Sequence, residues 1–149
     1  VIPTLSLQEA LVTMLRGNGA LAAALPTWSD AGNTVYPFYQ DLAPERAPLP
    51  YLVYTIVAAP TRNAYGQPPI ATDPTVRFTA FNNDSVAVMT AMNAVCVALD
   101  NVTLTLPNGN TQLFTLRTGD PVPRLASRST DGKAKEVWSA SVVYQFSAQ

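Results

Sequence analysis

The chain contains no histidine and a single cysteine. Without histidine it lacks the commonest general base and the commonest metal ligand. One cysteine makes neither an internal disulfide nor a thiolate zinc cage. Charge is scarce too. Asp, Glu, Lys and Arg together make 13% of the residues, about half the usual ~25%. A net charge of −1 leaves no basic stripe to neutralise phosphates, which argues against a dedicated nucleic-acid binder. No apolar run approaches the ~20 residues of a membrane helix. The first residues, Val1-Ile2-Pro3-Thr4, lack the basic and apolar regions of a signal peptide, so the expectation is a soluble, cytosol-made chain. The glycosylation-type triplets at Asn83 and Asn101 are then read as chance matches.

What is present is ordinary apolar content, 48% over 149 residues, and 13 prolines. That length fits one domain, 1–149, with a real core. The shortage of charge leaves open what covers the outside. Ser, Thr, Asn and Gln cover part of it, and a partner subunit is a candidate for the remainder.

Ser6-Leu7-Gln8-Glu9 has the form of a capping box. Leu7, Leu11, Met14 and Leu15 then share one helical face, and Gly17 ends the helix. Gly17-Asn18-Gly19 follows a helix and lacks the later glycine of a dinucleotide fingerprint, so it is a helix stop. A short helix over Ala20–Leu25 stops at Pro26. Pro26–Thr34 reads as a polar turn region around Asp30, Gly32 and Asn33. Val35–Phe38 is a short extended piece that Pro37 keeps out of a sheet centre. Asp41–Pro50, with three prolines, is a stiff connector.

Tyr51–Ala59 is β-branched and aromatic throughout and reads as a strand apolar on both faces. Pro60–Pro74 reads as a long loop with Tyr65-Gly66-Gln67-Pro68-Pro69 at its tip. Thr75–Phe81 alternates, with Val76, Phe78 and Ala80 on one face and Arg77, Thr79 and Phe81 on the other. Asn82–Ser85 offers N-caps for a helix over Val86–Leu99. Between Asp84 and Asp100 that helix carries no charge, whereas a surface helix normally shows a charged back. It is read as buried on more than one side. Val102–Leu106 and Thr111–Leu116 form a hairpin around Pro107-Asn108-Gly109-Asn110. Pro121–Ser129 is a weaker edge strand, and Val137–Phe146 alternates again. The order suggests an α+β fold: a mainly antiparallel sheet, two longer helices on one face, and a β-hairpin.

Little of this carries chemistry. Cys96 sits among apolar residues and reads as a small core hydrophobe, because the basic neighbour of a reactive thiol is not close in sequence. No catalytic, metal or cofactor residues emerge, and no cofactor is expected. Lys133, Lys135, Arg124 and Arg128 form the one basic cluster, read as a solvated hairpin in preference to an anion site. Around the loop tip, Arg62, Tyr65 and Gln67 suit either a protein contact, where Tyr and Arg are enriched, or a surface loop.

Several segments resemble a known family. Leu7-Gln8-Glu9-Ala10-Leu11 opens the first helix, and Ala20-Leu21-Ala22-Ala23-Ala24-Leu25 follows. Val35-Tyr36-Pro37 and Ala47-Pro48-Leu49-Pro50-Tyr51-Leu52-Val53-Tyr54 come next. A strand then leads into a helix ending Val97-Ala98-Leu99-Asp100. Over about Leu5–Asp100 this is similar to the tail terminator (tail completion, tail-to-head joining) proteins of long-tailed bacteriophages. Pro26–Thr34 departs from the pattern as an insertion, and the second helix departs in lacking scattered charges.

The resemblance implies a non-enzymatic virion protein at the head-proximal end of the tail. It implies a hexameric ring that caps the tail tube protein, ends tube growth and meets the head–tail connector protein. DNA passes the lumen without specific binding. A closed ring buries two different patches per subunit, which fits the low charge. Subunit contacts are expected at Val88, Met89, Met92 and Cys96, and contacts to other virion proteins at Arg62, Tyr65, Gln67 and Asn108. Two alternatives stand beside this: a head–tail connector or minor tail protein, and a small α+β ligand-binding domain or enzyme with a closed pocket.

Overall fold

The structure, a computed structural model, describes residues 4–58, 61–63, 69–100, 102–106, 112–127 and 136–148. Helix α1 spans Thr4–Gly17 and α2 spans Gly19–Ala24. The Asn18 side chain accepts a hydrogen bond from the Leu21 N–H at 3.0 Å, so the helix stop also caps the next helix. α1 begins two residues before Ser6, which places the expected capping serine inside the first turn. Leu7, Leu11 and Leu15 are buried on the predicted face.

Pro26–Thr34 is not a plain turn region: β1 (Trp28–Asp30) and β2 (Asn33–Val35) pair as an antiparallel hairpin. Its two turn residues, Ala31 and Gly32, have φ of 51° and 83°. Positive φ at both central positions matches the right-handed strand twist, as in type I′ hairpins. The turn residues were visible in the sequence, but three-residue strands are too short to show alternation.

The main sheet has seven strands, in the order β3-β4-β7-β11-β9-β8 with β10 beside β11. These are β3 (Phe38–Gln40), β4 (Tyr51–Ala58), β7 (Thr75–Asn82), β8 (Thr103–Thr105), β9 (Gln112–Arg117), β10 (Arg124–Ser127) and β11 (Val137–Ala148). All pairings are antiparallel except β3 with β4. The predicted α+β class therefore holds. Pro37 is buried just before the edge strand β3, outside the sheet centre as expected. The segment read as a long loop, Pro60–Pro74, instead holds a small ribbon of β5 (Thr61–Asn63) and β6 (Pro69–Thr72).

Helix α3 (Ser85–Leu99) starts at Asp84, whose carboxylate accepts from the Ala87 N–H at 3.2 Å. α3 packs on β7 and β11, with α1 and α2 beside it. The core lies between this helical layer and one face of the sheet. Val76, Phe78 and Ala80 of β7 meet Val142, Tyr144 and Phe146 of β11 there, and Phe78 and Tyr144 stack edge to face at 6.1 Å. The alternation read from Thr75–Phe81 and Val137–Phe146 is the one the sheet uses.

The end of α3 is tied down by polar groups. The Tyr144 hydroxyl donates to Asp100 at 2.6 Å, and Arg117 bridges Asp100 at 3.4 Å and Asp120 at 3.3 Å. Thr115 donates to the carbonyl of Leu99 and accepts from the Val102 N–H. Burial pushes the Tyr144 phenol well above its ordinary value, and the hydrogen bond to Asp100 adds to the rise. A hydrogen bond to Cys96 holds Arg117 above the usual arginine value. The fold thus supplies Cys96 with a basic neighbour that the sequence does not place nearby. The thiol itself is buried, as a core residue should be.

Candidate interaction surfaces

Two surfaces of the chain are left without a covering layer among the described residues. The first is the far face of the sheet. Here β7 presents Arg77, Thr79 and Phe81, and β11 presents Ser139, Ser141, Val143 and Gln145, with Tyr51, Val53 and Thr55 of β4 on one side. An aromatic strip runs along one end. Tyr39 meets Tyr51 edge to face at 5.9 Å, and Tyr51 meets Phe81 at 5.1 Å. The Trp28 indole donates to the Tyr39 hydroxyl at 2.9 Å, which fixes the β1–β2 hairpin to this strip. At the centre, the Thr79 and Ser141 hydroxyls share a hydrogen bond of 2.8 Å across the strands.

Two shallow cavities open on this face. One, of about 370 Å³, is lined by Arg77, Arg124, Asp120, Val122, Ser139 and Ser141. The other, of about 270 Å³, lies between the connector (Asp41, Leu42, Ala43) and the strand residues Tyr51, Val53, Arg77 and Phe81. Arg77 borders both. Among the described residues neither Arg77 nor Arg124 has an ion-pair partner. Val122, 60% exposed, lines the first cavity with them, and further along the same face β9 leaves Leu116 62% and Phe114 50% exposed.

The second surface is the outer ridge of α3. Val86, Thr90, Asn93 and Val97 recur at helical spacing, and all four are exposed. Val86 is 70% and Val97 76% exposed. Thr90 turns its hydroxyl back to the Val86 carbonyl at 3.0 Å. The ridge is therefore uncharged and poor in free polar groups.

This placement corrects two expectations. In the single chain α3 is buried on one side only, on β7, β11 and α2. The residues expected at a subunit interface are already taken: Val88, Met92 and Cys96 lie in the chain's own core, and Met89 packs against it. The physical reason is that the sequence stripe with the larger side chains fills the core, leaving the thinner valine–threonine–asparagine stripe outside. Of the expected outward contacts, Arg62 sits on β5 opposite Ala71. Tyr65, Gln67 and Asn108 lie outside the described residues, as do Arg128, Lys133 and Lys135.

The pairing of Arg77 with Arg124 was not visible in the sequence. The two are 47 positions apart by their numbering, and only the register of β7 and β10 on either side of β11 brings them to one cavity. The alternation of Thr75–Phe81 did place Arg77 on the face opposite the core, which was the available signal.

No family model matches the chain, and no curated protein matches it. Among solved structures it is similar to a chain of the virion of a native gene transfer agent particle. The identity is 20%, the match covers 95% of this chain and 93% of that one, and the TM-score is 0.60. The likeness shows a shared fold over the whole length. Among the described residues, no helix is long and apolar enough to cross a membrane.

Proposed function

We propose that the chain is a structural protein of a phage-like particle, and within it the ring that ends the tail tube and joins it to the head connector. The observation that carries this reading is the whole-length fold likeness to a virion chain. It meets the terminator-like sequence segments over Leu5–Asp100, which were found independently of it. The surface adds support. This chain, poor in charge, has two partly apolar surfaces on different sides with no covering layer among the described residues, and a ring subunit needs two unlike contact patches. In this reading the protein works by shape and contact, with no bond made or broken. Its partners are further copies of itself, six in a closed ring, the tail tube protein below and the head–tail connector above. DNA passes through the ring without specific binding.

Electron microscopy of particles made with and without the chain tests the proposal. With it, tails of uniform length should end in a ring at the head-proximal end. Without it, tails should be overlong or unattached to heads. Tails of normal length joined to heads in its absence would overturn the reading. A normal tail with the chain located on the portal side would assign it to the head–tail connector instead.

A further inference from the structure

We infer that the outer ridge of α3 in one copy of the chain seats on the open sheet face of the next copy. The inference rests on the ring reading and names the two faces that the ring would join. It starts from geometry. The buried stripe of α3 packs on one face of β7 and β11, so the Val86–Val97 ridge points away from the sheet. The open face belongs to the same two strands on their other side. The two bare surfaces are therefore on opposite layers of one subunit, and each copy can give its ridge and receive another. A sheet covered by helices on one face only has room for a further helical layer on the other.

Charge decides between like-on-like and unlike pairing. The ridge carries no basic residue, and its start is marked by the exposed carboxylate of Asp84. The open face carries the guanidinium groups of Arg77 and Arg124 with no ion-pair partner among the described residues. Two open faces brought together would set arginine against arginine, because the Asp120 carboxylate in the same cavity is already engaged by Arg117. A ridge on an open face instead sets a carboxylate near two cations and covers Val86 and Val97 with the apolar residues around Leu116 and Val122. A net charge of −1 and the nearby Asp120 make a nucleic acid a poor occupant of the same cavity.

Cross-linking in assembled particles tests this. Val86→Cys and Ser141→Cys are introduced singly and together in the full chain, with buried Cys96 left in place, and the particles are treated with a short bismaleimide. The double variant should give a ladder of multimers. Particles co-assembled from the two single variants should stop at the dimer, and either single variant alone should give no multimer.

A dimer from one single variant alone would mean that like faces like, and overturns the pairing. So does the absence of a ladder in particles that contain the double variant, or a Ser141→Cys adduct to a different virion protein only. In a second arm, Arg77→Glu with Arg124→Glu should reduce the amount of chain in purified particles at least about tenfold, with an unchanged melting curve. Incorporation at the normal level overturns the role of the arginines. Particles that form normally without any copies of the chain fail the ring reading itself, and the pairing with it, whereas a ring whose copies do not cross-link fails the pairing alone.

Discussion

The two central strands, β7 and β11, show one surface to the helices and a different one to the outside. On the inner side Val76, Phe78, Ala80, Ala140, Val142, Tyr144 and Phe146 are all buried. On the outer side, one residue along each time, stand Arg77, Thr79, Phe81, Ser139, Ser141 and Val143, exposed or half-buried. The backbone and its hydrogen bonds are common to both, so the difference lies in the side chains alone. The inner face is a finished core, filled with large apolar groups in contact with α3. The outer face mixes aromatics, hydroxyls and two arginines without an ion-pair partner among the described residues, a composition closer to a protein interface than to a core or a freely solvated surface. Folding of the single chain depends on the first face. Association, in the proposed function, depends on the second.

Substitutions should separate these roles. The largest expected loss of stability is on the inner face: Phe78→Ala removes a fully buried ring and should cost about 3–5 kcal/mol in a denaturant titration. A loss under about 1 kcal/mol would mean that this face is not the core.

Tyr144→Phe comes next, at about 1–3 kcal/mol, because Asp100 loses its shortest hydrogen bond inside the fold. It also has a pH signature. The folded-state pKa of Tyr144 is raised, so its contribution is fully present below the ordinary tyrosine value and is lost as pH rises beyond it. Wild-type stability should therefore fall above about pH 10, and part of that fall should vanish in Tyr144→Phe. Urea titrations on both sides of that pH check the sign.

Tyr39→Phe should cost about 1 kcal/mol, since it leaves the Trp28 N–H without its acceptor. A red shift of tryptophan emission should accompany it as the β1–β2 hairpin loosens. Val97→Lys has the smallest expected effect on stability, within about 0.5 kcal/mol, because the side chain is on the surface. Yet it should strongly reduce incorporation into particles. If Val97→Lys unfolds the chain, or leaves incorporation untouched, the division between a folding face and an associating face fails.

The same division explains what could be read before the structure. Period-two alternation in Thr75–Phe81 and Val137–Phe146 identified the core face, because one side of each strand is uniformly apolar. Helix limits near Gly17 and Asp84 were legible because caps and breakers act locally. The β1–β2 hairpin and the β5–β6 ribbon were missed because strands of three or four residues show too few alternations to register. The α3 stripe was assigned to the wrong environment for a different reason. In a helix without charges, composition does not say which apolar stripe faces in, and Val88, Met92 and Cys96 were placed at an interface when they fill the core. The arginine cavity was beyond sequence reading altogether, since it depends on strand order across the sheet.

The margins of the sheet have a consequence for the protein before it meets any particle. Its outermost strands, β3 and β8, are three residues each, and β10 is four, preceded by Pro121 and Pro123. Short, proline-flanked margins offer little backbone for another chain to zip onto. The route by which bare sheets most readily turn into fibres is thus narrow, even though a broad face has no covering layer among the described residues. Free subunits can then stay dispersed until a partner covers that face.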